Sequence, residues 1–201
     1  MSCPFVKQTL DSKGWLPIYT GLKSPSVAII REFYSNVFFH STISDGHFLT
    51  TWVQGEEYQI TMKVVANALS VPLVNHPTYL YFESPSLDDV MSLLYGKTIT
   101  WDSKPILDSH ELTEANYLLF RIACHNIFPI SHVHTIPIDR CIFLYAPITS
   151  ASIYLPSLFI QTIVEVHKNT SKKQRLFFLV SILRILEYLE FECTFSFELV
   201  H

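Results

Sequence analysis

Residues 50–72 read TTWVQGEEYQITMKVVANALSVP, and within this stretch the spacing of the apolar positions changes once. Up to Ile60, β-branched and aromatic residues flank Gln54-Gly55, which is a strand pattern on both sides of a bend. Gly55 takes positive φ cheaply, so a hairpin is predicted to close there between 48–53 and 58–60. Beyond Thr61, the residues Val64, Val65, Ala68 and Leu69 fall on one helical stripe. Thr61 is placed to cap that helix, and Pro72 stops it, because the residue before a proline is pushed out of the α region. The apex of the joint offers no side-chain nucleophile, so it is not the strained serine elbow of hydrolases.

Helical signals fill most of the remaining chain. Ser24-Pro25 provides a cap and a proline at the first helical position. Behind it Val27, Ile30, Phe33, Tyr34, Val37 and Phe38 recur at helical spacing, so this helix is predicted to end near His40. A helix over 86–95 has Ser86 as its cap, Asp88 and Asp89 near the positive end of the dipole, and Gly96 just past its last turn. Its inward residues are predicted to be Leu87, Val90, Leu93 and Leu94. The next helix, 113–127, would turn Leu118, Leu119, Ile122 and Ala123 inward, with Pro129 beyond its end. Another starts at Pro137, carries Ile138, Cys141, Ile142 and Tyr145, and is kinked or ended by Pro147. Helices over 157–167 and 174–190 follow. The last is apolar on most sides and is therefore predicted to be central, with Arg184, Glu187 and Glu190 on its wet edge. The expected fold is mainly α: a single multi-helix domain over 14–190 with one small β-hairpin near residues 48–60, an N-terminal flank 1–13 and a tail 191–201.

Composition narrows the function. Of 201 residues, 49% are hydrophobic and 16% charged, which is far from a disordered chain. A net charge of -4 gives no overall electrostatic grip on nucleic acid. Five glycines leave little material for a phosphate-cradling loop. The four cysteines show no C-x-x-C spacing, and the first residues hold no apolar leader segment. An intracellular, non-secreted protein with reduced thiols is expected, and the sequon at 169–171 is then accidental. Residues 141–164 carry no charge, but Pro147, Pro156 and the central hydroxyls argue for two buried helices joined by a turn, so no membrane is expected.

Several segments together resemble the plant transposon protein domain, a family of mobile-element-related plant proteins. They are GWLPIYTG at 14–21, with Trp15; VAIIREFYSNV at 27–37, with Glu32, Phe33, Tyr34 and Asn36; WVQGEEYQITMKVVANALSVP at 52–72, with Gly55, Leu69 and Pro72; and NIFPISHVHTIPIDRCIFLYAPIT at 126–149, with Pro129, His132, Asp139, Arg140 and Tyr145. The second is the most specific. The chain departs from the pattern at Gln54, where the family usually has Arg, at Pro147, where its helix continues, at 176–183 and in the tail. A fainter likeness to the plant mobile domain supports the same helical fold with a hairpin. The resemblance implies a transposable-element origin, no assigned catalytic residues, and structural roles for the motif positions.

Candidate chemistry is sparse. A transposase needs carboxylates converging on metal ions; the available acids Asp88, Asp89, Asp102, Asp108, Glu111, Glu114 and Asp139 lie on no visible sheet, so a metal-dependent nuclease is the remote alternative. Cys124, His125, His132 and His134 have the residue types of a zinc site, but their spacing matches no structural one, and a helix end followed by a histidine-containing loop explains them. The basic cluster HKNTSKKQR at 167–175, with Lys168, Lys172, Lys173 and Arg175, is the one segment suited to nucleic acid, and it is equally a solvated loop. The expected function is a non-enzymatic interaction or structural, gag-like module, with a nucleic-acid-binding domain using that loop as the alternative. No cofactor is expected. The partner is left open, protein (self or element-encoded) before nucleic acid.

Overall fold

The computed structural model describes residues 3–19, 26–42, 46–74, 85–101, 106–127, 134–149, 151–168 and 178–192. Eight α-helices and two small antiparallel sheets appear among them, so the chain is mainly α. In order they are α1 (Pro4–Ser12), a 3-10 turn (Leu16–Tyr19), α2 (Val27–Ser35), β1 (Phe38–Thr42), β2 (Gly46–Val53), β3 (Glu56–Thr61), α3 (Met62–Leu69) and α4 (Leu87–Tyr95). Then come β4 (Ile106–Asp108), a second 3-10 turn (Ser109–Glu111), α5 (Glu114–Asn126), β5 (Thr135–Pro137), α6 (Ile138–Ile148), α7 (Leu155–Lys168) and α8 (Leu179–Tyr188).

The hairpin closes where Gln54 and Gly55 take φ of 52° and 84°, the two positive values that a two-residue turn between right-twisted strands requires. Val53 faces Glu56 and Trp52 faces Glu57 across it. Thr61 then caps α3, its hydroxyl accepting from the Val64 N–H at 3.2 Å. The helix ends earlier than its proline. Ser70 takes the left-handed conformation, and the Ser70 and Val71 N–H groups return to the Asn67 and Ala66 carbonyls, which satisfies the last turn two residues before Pro72.

One hairpin was too little. The helix predicted to reach His40 stops at Ser35, and residues 38–42 form β1, which pairs antiparallel with β2 to make a three-stranded meander. Val37 is still buried, but Phe38 points to solvent. The helical phase was therefore continued by residues that the chain places on a strand. A second sheet, β4 with β5, was also not anticipated; each strand is three residues long and pairs across the whole of α5. Ser24-Pro25 lies outside the described residues, and Ser26 stands at the N-cap of α2.

Among the predicted inward residues, Val90, Leu94, Leu119 and Ala123 are buried, but Leu93 and Leu118 face out, and Met91, Phe120 and Cys124 take their places. The apolar stretch 141–164 divides into α6 and α7, with Pro147 in the last turn of α6. No helix among the described residues is long and apolar enough to cross a membrane. The final helix is one-sided rather than enclosed: Ser181, Ile182, Ile185 and Leu186 are buried, and Tyr188 is exposed.

α3 packs between α7 and α8, while β2 lies on α2 and α7. Around α6 gather α1, α4 and α5, and Trp15 stacks on Phe143 with ring centroids 6.1 Å apart. Residues 4–12, read from sequence only as a flank, form a helix with Val6 and Leu10 buried. Two charged side chains tie distant segments together. Lys13 donates to the Thr149 and Ala151 carbonyls at 3.2 and 2.8 Å, and Arg184 donates to the Pro17 carbonyl at 2.5 Å.

Candidate interaction surface

The VAIIREFYSNV segment is α2 with its exit, and its motif residues hold neighbouring elements, while the Ser35 hydroxyl turns back to the Arg31 carbonyl of its own helix. The Glu32 carboxylate accepts from the Gln54 N–H at the hairpin turn (2.9 Å), and Asn36 Nδ2 donates to the Trp52 carbonyl (2.9 Å). Buried Thr51 donates its hydroxyl to the Phe33 carbonyl (2.9 Å). The Tyr34 carbonyl faces His167 Nδ1 at 3.0 Å, so that nitrogen carries the proton. Phe33 is fully buried, and burial pushes the Tyr34 phenol well above its ordinary range. The same segment therefore joins the meander to α7.

The other family-motif residues are placed similarly. Trp15 is in the core, and Gly14, with φ 66°, lies where an added Cβ would come within 3.0 Å of the Pro72 ring. Leu69 is buried on α3. Asp139 and Arg140 pair at 3.4 Å in the first turn of α6, and the Tyr145 carbonyl accepts from the Thr149 hydroxyl and N–H. Pro129 and His132 lie outside the described residues.

Among the described residues the candidate acids do not gather into a triad. Asp88 accepts from the Trp101 N–H at 2.6 Å, Asp108 accepts from the His110 N–H at 2.9 Å, and Glu111 pairs with Lys97 at 3.9 Å. Glu114 and Asp139 sit in the first turns of their helices, and Asp102 lies outside the described residues. No group of three or more His, Cys, Asp or Glu suited to a metal ion occurs among the described residues. Cys124 is enclosed in α5, where burial pushes its thiol up to about 12 against the pull of Arg121 and Arg140. His134 meets His110 instead, ring nitrogen to ring nitrogen at 3.3 Å. Of the basic cluster, Lys168 is exposed at the end of α7, and Lys172, Lys173 and Arg175 lie outside the described residues.

What sequence reasoning missed is the outer face of the meander. Strand alternation turns Leu49, Thr51, Val53, Tyr58 and Ile60 inward and leaves Phe38, His40, Phe48, Trp52, Glu57 and Gln59 on the opposite face. Phe38 and Trp52 meet edge to face, centroids 5.8 Å apart, with 58% and 38% of their surface exposed. Beside them His40 stacks on Phe48 at 4.6 Å and binds the Thr50 hydroxyl at 2.8 Å. β1 is an outer strand of the sheet, and Phe39, on its other face, is 41% exposed. The signal in the sequence was the aromatic pair FF before HST, which suits a strand as well as a helix.

The model of the Putative plant retrotransposon-related domain matches residues 11–190. The chain belongs to that family. The match spans every motif quoted above and begins inside α1. Comparison of this retrotransposon-related domain with curated proteins and with solved structures finds no match.

Proposed function

We propose that this retrotransposon-related domain is a non-enzymatic interaction module, gag-like in associating with further copies of itself, and that the outer strand β1 with its aromatic face makes the contact. The carrying observation is the exposure of Phe38, Phe39 and Trp52 on and beside one edge strand. Large apolar side chains clustered on a surface mark contact sites, and edge strands accept a further strand. Among the described residues, Glu56 and Glu57 stand at that face and its Gln54-Gly55 turn, and their charge disfavours a phosphate backbone. Two copies joined at β1 would continue the meander into a six-stranded sheet.

Sedimentation velocity tests this. The wild-type domain associates as its concentration rises, and Phe38→Ser with Trp52→Ser holds it monomeric while its circular dichroism is unchanged. A wild type that stays monomeric to hundreds of micromolar defeats the reading. Micromolar DNA or RNA affinity at physiological salt, lost when Lys172 and Lys173 become Glu, would replace it by the nucleic-acid reading.

A further inference from the structure

A cleft of about 340 Å³ opens on another side of the molecule, lined by Tyr95, Ile99, Trp101, Ile106, Asp108 and Glu111 among others. Its walls are fixed by hydrogen bonds from α4. Asp88 holds the Trp101 N–H at 2.6 Å, and the Ser92 hydroxyl holds the Ile99 N–H at 3.0 Å. The opposite wall is β4 and the 3-10 turn behind it, pinned to β5 by the Ser109 N–H on the His134 carbonyl at 2.9 Å. Two aromatic and two acidic residues thus line one space, and the volume falls in the range of ligand sites.

One cation already samples this chemistry. Lys97 Nζ lies 5.7 Å from the Tyr95 ring centroid and 3.9 Å from a Glu111 carboxylate oxygen, on a side chain that is 62% exposed. Such an exposed pair is weak and easily exchanged. A cation that entered more deeply would gain the carboxylates and the aromatic faces together, where cation–π attraction strengthens on desolvation.

We infer that this cleft accepts a lysine or arginine side chain from a basic peptide segment of a partner protein, displacing Lys97 from Tyr95 and Glu111. Charge complementarity selects that occupant: among the described lining residues, Asp108 and Glu111 are acidic and none is basic. A planar guanidinium can stack on an aromatic face and bridge a carboxylate by two N–H groups. The site is separate from the β1 surface, so either can fail alone.

The probe is the basic nonapeptide HKNTSKKQR, titrated into the ¹⁵N-labelled full chain at low salt. The reporter is the indole N–H of Trp101, assigned by Trp101→Phe and distinct from those of Trp15 and Trp52. Its resonance moves and saturates. Glu111→Gln, an exposed change, weakens the affinity about tenfold, and Lys97→Ala tightens it about threefold by removing the internal competitor. Phe38→Ser with Trp52→Ser leaves the Trp101 response intact. The inference is overturned by a silent Trp101 resonance, by equal binding of a peptide with its Lys and Arg changed to Gln, or by a Lys97→Ala affinity no tighter than wild type. Preference of the same site for single-stranded RNA over the peptide also overturns it.

Discussion

Gly96 ends α4 with φ 67°, and a Cβ placed there would stand 2.8 Å from Thr113 Cγ2. Gly55 has a similar φ of 84°, but nothing lies within 4 Å of its added Cβ. The two glycines therefore separate backbone strain from crowding. Gly55→Ala is expected to cost about 1 kcal/mol, the usual penalty of a left-handed non-glycine residue. Gly96→Ala is expected to cost about 2–3 kcal/mol, since overpacking adds to the strain. Thr113→Ser removes the offending methyl and keeps the hydroxyl that caps α5 at the Asn116 N–H. Urea unfolding of the double mutant should recover part of the loss, as a favourable coupling in the mutant cycle. The buried thiols give a second test. Cys124 and Cys141 are buried, and burial pushes both thiols up to about 12. The native protein should therefore react with a disulfide reagent at pH 8 at no more than two of its four cysteines until denaturant is added.

At the level of the element, α2 acts as a clamp on the hairpin. Glu32→Ala should cost about 1–2 kcal/mol, as a charge-assisted bond to the Gln54 N–H is lost. Glu32→Gln retains an acceptor and should cost less than half of that. Hydrogen exchange supplies the local readout: the Gln54 amide loses protection in the alanine variant before the β2 core does. This clamp also explains what the sequence concealed. The two-residue turn, the Thr61 cap and the Gly96 terminus were legible because each is settled by residues within one turn of chain. The end of α2 was not. Val37 and Phe38 keep the helical phase, and what breaks the helix is a pairing of Phe38 with Thr50 and of Asn36 with Trp52, groups more than ten residues distant. β4 and β5 are still less legible, since three-residue strands carry too little alternation to be recognised without their partners. The exposed aromatic face was hidden by the same error: a Phe38 assigned to a helical stripe is read as core, and the same residue on a strand faces water.

At the scale of the molecule, ionisation links several elements. Cys124, Cys141 and Tyr58 are each pushed up to about 12 by burial, Tyr58 with help from the Glu56 carboxylate that accepts from its hydroxyl at 2.8 Å. In the unfolded chain the thiols ionise near pH 8.5 and the phenol near 10. Between those values and about 12 the unfolded chain has released protons that the folded chain keeps, so stability falls as pH rises through this window. Burial also raises the Tyr34 and Tyr154 phenols, whereas it lowers the Lys13 ammonium, which acts with the opposite sign. Denaturant unfolding at pH 8 and 10.5 should show a marked loss at the higher pH, and a smaller one when Cys124 and Cys141 are both alanine. The α1 helix supplies the other global test. A chain beginning at Gly14 lacks buried Val6 and Leu10 and the Lys13 ammonium that holds two carbonyls beyond α6, and should unfold at a temperature at least ten degrees lower.

The position of α8 has a consequence for synthesis and inheritance. The stripe on α3 is covered by a helix made more than a hundred residues later, and the Arg184 bond to Pro17 closes only then. A nascent chain must carry that part of the apolar face unshielded until α8 has been made. Genomic copies with a stop codon before Leu179 would thus yield products that are cleared or precipitate, whereas stops after Phe191 would be tolerated. Expression of the two classes of truncation side by side would reveal the difference as soluble yield.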